Sequence, residues 1–198
     1  MQKEDVIHYY ENGDHENEVA QILIEAKNLV DKYTNQPSDN NYAVVFDIDE
    51  TSLNHYQPLK KANFPQDDND SIWDKLVLET SAKAIGPTLE FYRYCLLKSV
   101  VVFFVSARVA DSLEATKLAL KDAGYTKFED VFVFPNEITN YNPKQFTNFK
   151  AERRAYIESL GYRILLSVGD QPSDLMGGFT KYGCELPNFL YGKKSFLA

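Results

Sequence analysis

A chain of 198 residues, 44% apolar and 25% charged, has the size of one domain, or of one domain with a modest insertion, and is long enough to bury a core. Its formal net charge of −8 has no basic run to offset it, which speaks against nucleic-acid polymers and anionic membrane surfaces as partners, while a bound cation can still attract a small anion. No run of about 18 apolar residues marks a transmembrane helix.

The opening MQKEDVIHYY lacks the apolar centre of a signal peptide, so the residues alone leave two settings: the cytoplasm, or a mature exported form. Residues 16–33 place Val19, Ile22, Leu23, Ala26 and Val30 at helical spacing. After the loop TNQPSDNN, the run YAVVFDI reads as a central parallel strand covered on both faces. The acidic run Asp67–Asp70 leads toward Ser71 and Asp74, a helix-cap pattern. A calcium loop through Asp68, Asp70 and Glu79 fails because Trp73 stands where the loop needs glycine. Gly86 and Pro87 start a further helix carrying Leu89, Tyr92, Leu96 and Leu97.

VVVFFVSAR is a second buried strand, followed by an amphipathic helix over 109–123 closed by Gly124. VFVF at 131–134 is a third strand, FTNFKAERRAYIESLGY a helix ending at Gly161, and RILLSVGD a fourth strand before a turn and short helix, QPSDLMGGF. Strand–helix alternation predicts a parallel α/β sheet, with residues 53–86 as a small, mostly helical cap inserted after the first strand into a single domain, 1–198. Cys95 and Cys184 form no metal-spaced cluster; one disulfide or two core thiols both fit, and the thiols fit better.

Ligand sites in such sheets lie beyond the carboxyl ends of the strands. The first strand ends in Asp47, Asp49 and Thr51, the second in Ser106, Ala107 and Arg108, and the fourth in Gly169, Asp170 and then Asp174, with Lys150 on the preceding helix. Four carboxylates and one lysine cannot sit together fully ionised without compensation. A hard divalent cation such as Mg²⁺, which prefers oxygen ligands, is the simplest compensation.

These residues, in this order, resemble the haloacid dehalogenase-like superfamily: DxDxT at Asp47–Thr51, a hydroxyl ending the second strand at Ser106, Lys150, and GDxxxD at Gly169–Asp174. FDIDETSL, Trp73, SAR, the Phe149, Lys150 and Arg154 pattern, GDQPSDL and LPNFLY narrow the resemblance to its acid phosphatase subfamily IIIB, which includes bacterial surface or periplasmic acid phosphatases and plant vegetative storage proteins.

The resemblance implies a Rossmann-like fold and a Mg²⁺-dependent phosphomonoesterase acting on a small-molecule substrate. Asp47 would be the nucleophile and Asp49 the acid and base. Ser106, Lys150 and Arg108 would bind phosphoryl oxygens. The metal would be held by Asp47, the Asp49 carbonyl and Asp170, with Asp174 orienting its waters. For Arg108, pairing with a nearby acid is an equal alternative that stays open. Many relatives are exported, so the resemblance also suggests a periplasmic or secreted protein whose signal peptide is absent from this chain. A catalytically silent storage or phosphate-binding protein of the same fold is the competing reading. A receiver module fits less well, since it lacks both the insertion and GDxxxD. His55 and Tyr56 are candidates for the substrate entrance, with His55 expected as a partly exposed polar side chain; Trp73 and Phe64 are read as cap packing. Oligomeric state is left open.

Overall fold

The computed structural model describes residues 2–35, 40–64, 82–136 and 143–191. Two helices, α1 (Lys3–Glu11) and α2 (Asp14–Thr34), lead into strand β1 (Asn41–Phe46). The segment before the next long strand carries β2 (Leu53–Asn54), α3 (Tyr56–Lys61) and β3 (Lys83–Ala84), and β2 and β3 pair as a small antiparallel sheet. There follow α4 (Gly86–Leu97), β4 (Val101–Val109), a 3₁₀ turn at Ala110–Ser112, α5 (Leu113–Asp122), β5 (Asp130–Phe134), α6 (Pro143–Ser159), β6 (Tyr162–Gly169), α7 (Pro172–Leu175) and β7 (Tyr182–Glu185).

The main sheet is parallel throughout, in the order β5-β4-β1-β6-β7. The chain moves outward from β1 through β4 to β5, then returns to the other side of β1 with β6. That reversal beside β1 makes the crevice at its carboxyl end a natural ligand site.

Side chains of β1 and β4 alternate between the two faces. Val44, Phe46, Val102 and Phe104 join the helices α2 and α4 on one face. Ala43, Val45, Phe103 and Val105 pack against Phe149 and Ile157 of α6 on the other. Both faces are covered, so β1 is apolar and buried from Ala43 to Phe46, up to Asp47 where the core ends. A third cluster joins Val6 of α1 to Tyr56, Leu59, Phe64 and Leu190.

The long strands and helices expected within the described residues are present, with differences. The helix expected over 109–123 begins as a 3₁₀ turn, and the helix expected to reach Gly161 stops at Ser159, with Gly161 at φ 93. Helix α1 and strand β7 have too little hydrophobic periodicity to read: α1 buries only Val6, and YGCE pairs along one edge of β6. Cys95 and Cys184 are buried free thiols. Phe64 is buried in the third cluster, as cap packing requires, whereas Trp73, Ser71, Asp74 and the Asp67–Asp70 run lie outside the described residues.

Candidate active site

The strand-to-loop transition after β1 places the two first-motif acids. Asp47 still pairs as a strand residue, its N–H donating to the Val168 carbonyl (2.8 Å). Ile48 stays in the core, and the chain then turns: the N–H groups of Ser52 and Leu53 both donate to the Ile48 carbonyl, and the Glu50 N–H donates to Leu53 (each 2.8 Å). Glu50 takes a left-handed conformation (φ 58) in this turn, which costs a non-glycine residue about 1–3 kcal/mol. Asp47 and Asp49 are thereby held at the carboxyl end of the central strand, each less than a tenth exposed.

Lys150 comes in from α6, whose apolar side packs on the sheet. Its Nζ donates to Asp47 Oδ1 at 2.6 Å and also to Asp174 Oδ1. Burial works against the ammonium, but Asp174 and Asp47 together outweigh it and hold Lys150 above its ordinary range.

Asp174 sits in the first turn of α7. Its Oδ2 accepts the Gln171 N–H (2.8 Å), making it part of a capping box as well as a partner of Lys150. Its carbonyl accepts Ser167 Oγ (2.6 Å) and Arg154 Nη1 (2.8 Å). Gly169 makes the approach of α7 to β6 feasible: a Cβ there would lie 2.2 Å from Asp174 Cβ.

Asp170 accepts from Thr51 Oγ1 (2.9 Å), Gln171 Nε2 (2.7 Å) and Asn188 Nδ2 (2.7 Å). One ligand oxygen from each of Asp47, Asp170 and Asp174 lies within 4.8 Å of the others. Three buried carboxylates thus face one ammonium. Burial, then repulsion from Asp174, pushes Asp170 up to about 7 against its three hydrogen bonds. Burial and Asp174 likewise push Asp47 well up, with Lys150 opposing. An oxygen-only cluster with surplus negative charge fits a hard divalent cation.

Asp49 is balanced differently. Arg108 grips it in a fork, Nη2 to Oδ1 at 2.7 Å and Nε to Oδ2 at 3.0 Å, and Thr116 Oγ1 accepts Arg108 Nη1 at 3.2 Å. Burial would raise the Asp49 carboxyl, but Arg108 overcomes it and holds the group below the usual carboxylate range. Of the two readings left open for Arg108, pairing with an acid is the one seen, and the acid is Asp49. Ser106 is buried beside it, its Oγ accepting the Arg108 N–H at 3.1 Å.

All seven residues singled out from sequence are buried: Asp47, Asp49 and Asp170 lie just beyond the ends of β1 and β6, Ser106 and Arg108 in the last residues of β4, and Lys150 and Asp174 on α6 and α7. The expectation of a partly exposed His55 is corrected: it is 1% exposed, because Glu50 Oε1 accepts its N–H (2.7 Å) and faces Nδ1 (3.0 Å). Tyr56 is buried too, stacked on Tyr10. Sequence reasoning assigned no role to Asn188 or Tyr191, whose hydroxyl donates to the Asp49 carbonyl at 2.8 Å. Both belong to LPNFLY, an apolar stretch in which nothing local distinguishes an amide that reaches Asp170 from one that faces solvent. Among the described residues no helix is long and apolar enough to cross a membrane.

The family described as HAD superfamily, subfamily IIIB (acid phosphatase) has a model that matches residues 1–194. The stem 28 kDa glycoprotein of Glycine max is 31% identical over 151 residues, 74% of this chain and 58% of the relative. Acid phosphatase 1 of Solanum lycopersicum is 30% identical over 149 residues, 74% of this chain and 57% of the relative. The chain therefore spans less than two thirds of the length of these relatives. The class C acid phosphatase of Bacillus anthracis superposes with a TM-score of 0.72 over 94% of this chain and 83% of its own, at 21% identity, a likeness of fold.

Proposed function

Because the chain belongs to the HAD superfamily, subfamily IIIB, the acid phosphatases, we propose that it hydrolyses small phosphomonoesters through an aspartyl-phosphate on Asp47, with Mg²⁺ as its cation. The observation that carries this reading is the pair of acids at the end of β1 in contrasting surroundings. Asp47 lies in the carboxylate cluster bridged by Lys150, and Asp49 stands apart in the grip of Arg108.

In this reading Asp47 attacks phosphorus, splitting one difficult displacement into two easier ones. Once the phosphoryl oxygens draw Arg108 from it, Asp49 takes a proton from solvent, and as the P–O ester bond breaks it gives that proton to the departing oxygen. It then takes a proton from the water that cleaves the aspartyl-phosphate, restoring Asp47 and releasing phosphate. Ser106, Lys150 and Arg108 bind the phosphoryl oxygens, whose negative charge competes with Asp49 for Arg108. Asp47, Asp170 and the Asp49 carbonyl would hold the cation and Asp174 would orient its waters; when bound, it neutralises charge on the phosphoryl oxygens. Phosphoryl transfer needs mostly positioning and charge stabilisation, so this small set suffices.

Residues 53–86, which include β2, α3 and β3, form the cap in this reading and shape substrate choice. The glycoprotein name of a plant relative supports a non-cytoplasmic setting. The test is hydrolysis of para-nitrophenyl phosphate at mildly acidic pH with Mg²⁺, with chelator, and by Asp47→Asn. Turnover lost in both latter arms is expected. An unmodified chain that binds phosphate and Mg²⁺ without turnover would instead be a binding or storage protein.

A further inference from the structure

We propose that His55 is a positioning residue for Asp49, a second hold on the carboxylate that persists when substrate draws Arg108 away. This rests on the acid–base role given to Asp49 above. His55 follows β2 and caps α3, yet its ring turns inward. Its Nε2 faces Asp49 Oδ1 at 3.5 Å, and its Nδ1 faces Glu50 Oε1 at 3.0 Å. The ring therefore lies between two adjacent residues of the first motif.

The Glu50 side makes this a built arrangement. Glu50 is wholly buried and has left-handed backbone, and its Oε1 takes both the His55 backbone N–H and the Nδ1 side of the ring. Glu50 Oε1 beside Nδ1 sets the ring plane, which aims Nε2, carrying a hydrogen, at the Asp49 carboxylate. The contact to Asp49 is longer than a good hydrogen bond, as catalytic contacts often are before substrate tightens them.

Arg108 cannot serve Asp49 undivided throughout the reaction. Phosphoryl oxygens arriving beside Ser106 compete for its guanidinium. His55 touches Asp49 from a different element, β2–α3 instead of β4. It would keep the carboxyl aligned with the departing ester oxygen, where small displacements cost large factors in rate.

The alternative is that His55 only anchors the start of α3 through Glu50. Two substitutions separate the roles. The amide nitrogen of His55→Asn reaches about as far as Nδ1 and keeps Glu50; that of His55→Gln reaches about as far as Nε2 and keeps Asp49. The readout is kcat/KM for an aryl ester, para-nitrophenyl phosphate, against an alkyl ester, glycerol phosphate. The alkyl leaving group needs a proton and the aryl one scarcely does.

For His55→Asn the alkyl ester should lose about 10-fold or more beyond any loss on the aryl ester, a part of the roughly 100- to 10,000-fold that a positioned general acid supplies. His55→Gln should recover most of that difference, and competitive inhibition by inorganic phosphate should be unchanged in both. Equal losses on the two esters, no difference between the variants, or failure of both variants to fold would make His55 structural and overturn the proposal. Absence of turnover by the unmodified chain on either ester would overturn the proposed function itself, a separate result.

Discussion

Lys150 Nζ bonds Asp47 and Asp174 at once, so one buried ammonium ties the carboxylate after β1 to the one on α7. Lys150→Ala leaves both carboxylates opposed with nothing between them. Turnover should fall about 100-fold or more, the size of one lost electrostatic donor. Removing one partner of a buried ion pair also costs about 3–5 kcal/mol, so the melting temperature in chelator should drop. Added Mg²⁺ should restore part of that drop but not the turnover. Steady-state kinetics and thermal melts with and without the ion check both, and unchanged kcat would remove Lys150 from phosphoryl binding.

Asn188 is one of three donors that hold Asp170. Asn188→Leu removes it in a buried position and leaves the Asp170 carboxylate less stabilised. Divalent-ion affinity should weaken about 10- to 100-fold, as when other partners that orient metal ligands are removed. Calorimetric titration with Mg²⁺ measures this without reference to turnover. Unaltered affinity would show that Asp170 needs only Thr51 and Gln171.

Gly169 has no room for a side chain against Asp174, whereas a Cβ at Gly161 would meet nothing within 4 Å. Gly169→Ala must shift α7 and with it Asp174; overpacking of this kind costs about 1–3 kcal/mol or more. Gly161→Ala should cost only the strain of a positive φ, about 1–2 kcal/mol. The sharper contrast is functional: Gly169→Ala should lose most turnover while Gly161→Ala keeps it. Comparable activity in the two variants would contradict the tight packing of α7 on β6.

His15 is buried, with Nε2 on the Pro187 carbonyl and its ring stacked 4.4 Å from Tyr10. Burial pushes its pKa from 6.5 down to about 4, the Pro187 carbonyl opposing. Between those values the unfolded chain binds a proton that the folded chain refuses. Stability is therefore unaffected above pH 6.5 and is lost as pH falls from 6.5 toward 4, by about 3 kcal/mol over the whole span. Urea unfolding at neutral and acidic pH should show this loss, and His15→Phe, which keeps the stack, should flatten it. An equally steep loss in His15→Phe would assign the acid sensitivity to other groups.

How much of the site could be read from the chain depended on whether a residue's role is written in its immediate neighbours. Asp47 and Asp49 stand out because two acids end an apolar run, and Gly169-Asp170 and Ser106 end runs of the same kind. Lys150 had no local mark beyond its place in the motif order, and only the docking of α6 on the sheet aims it at Asp47. Arg108 shows the limit differently: its proximity to the acids was foreseen, but the choice between a carboxylate and phosphate depends on where Thr116 fixes the guanidinium. His55 was misjudged because polarity argues for exposure, and the opposing fact, a buried Glu50 five residues earlier, becomes visible only when the turn closes.

Periodicity and strand-end punctuation determined the α/β class, the order of the long strands and helices, and the acids at their carboxyl ends, because these are properties of a residue and its near neighbours. Strand order, the pairing of β7 on β6, the assignment of Lys150 to the Asp47 and Asp174 carboxylates and of Arg108 to Asp49, and the reach of Asn188 and Tyr191 into the site were decided by the tertiary structure alone. The contacts of these four side chains join residues 18 to 142 positions apart. The free energy of each such contact depends on burial and geometry that no local stretch of sequence contains.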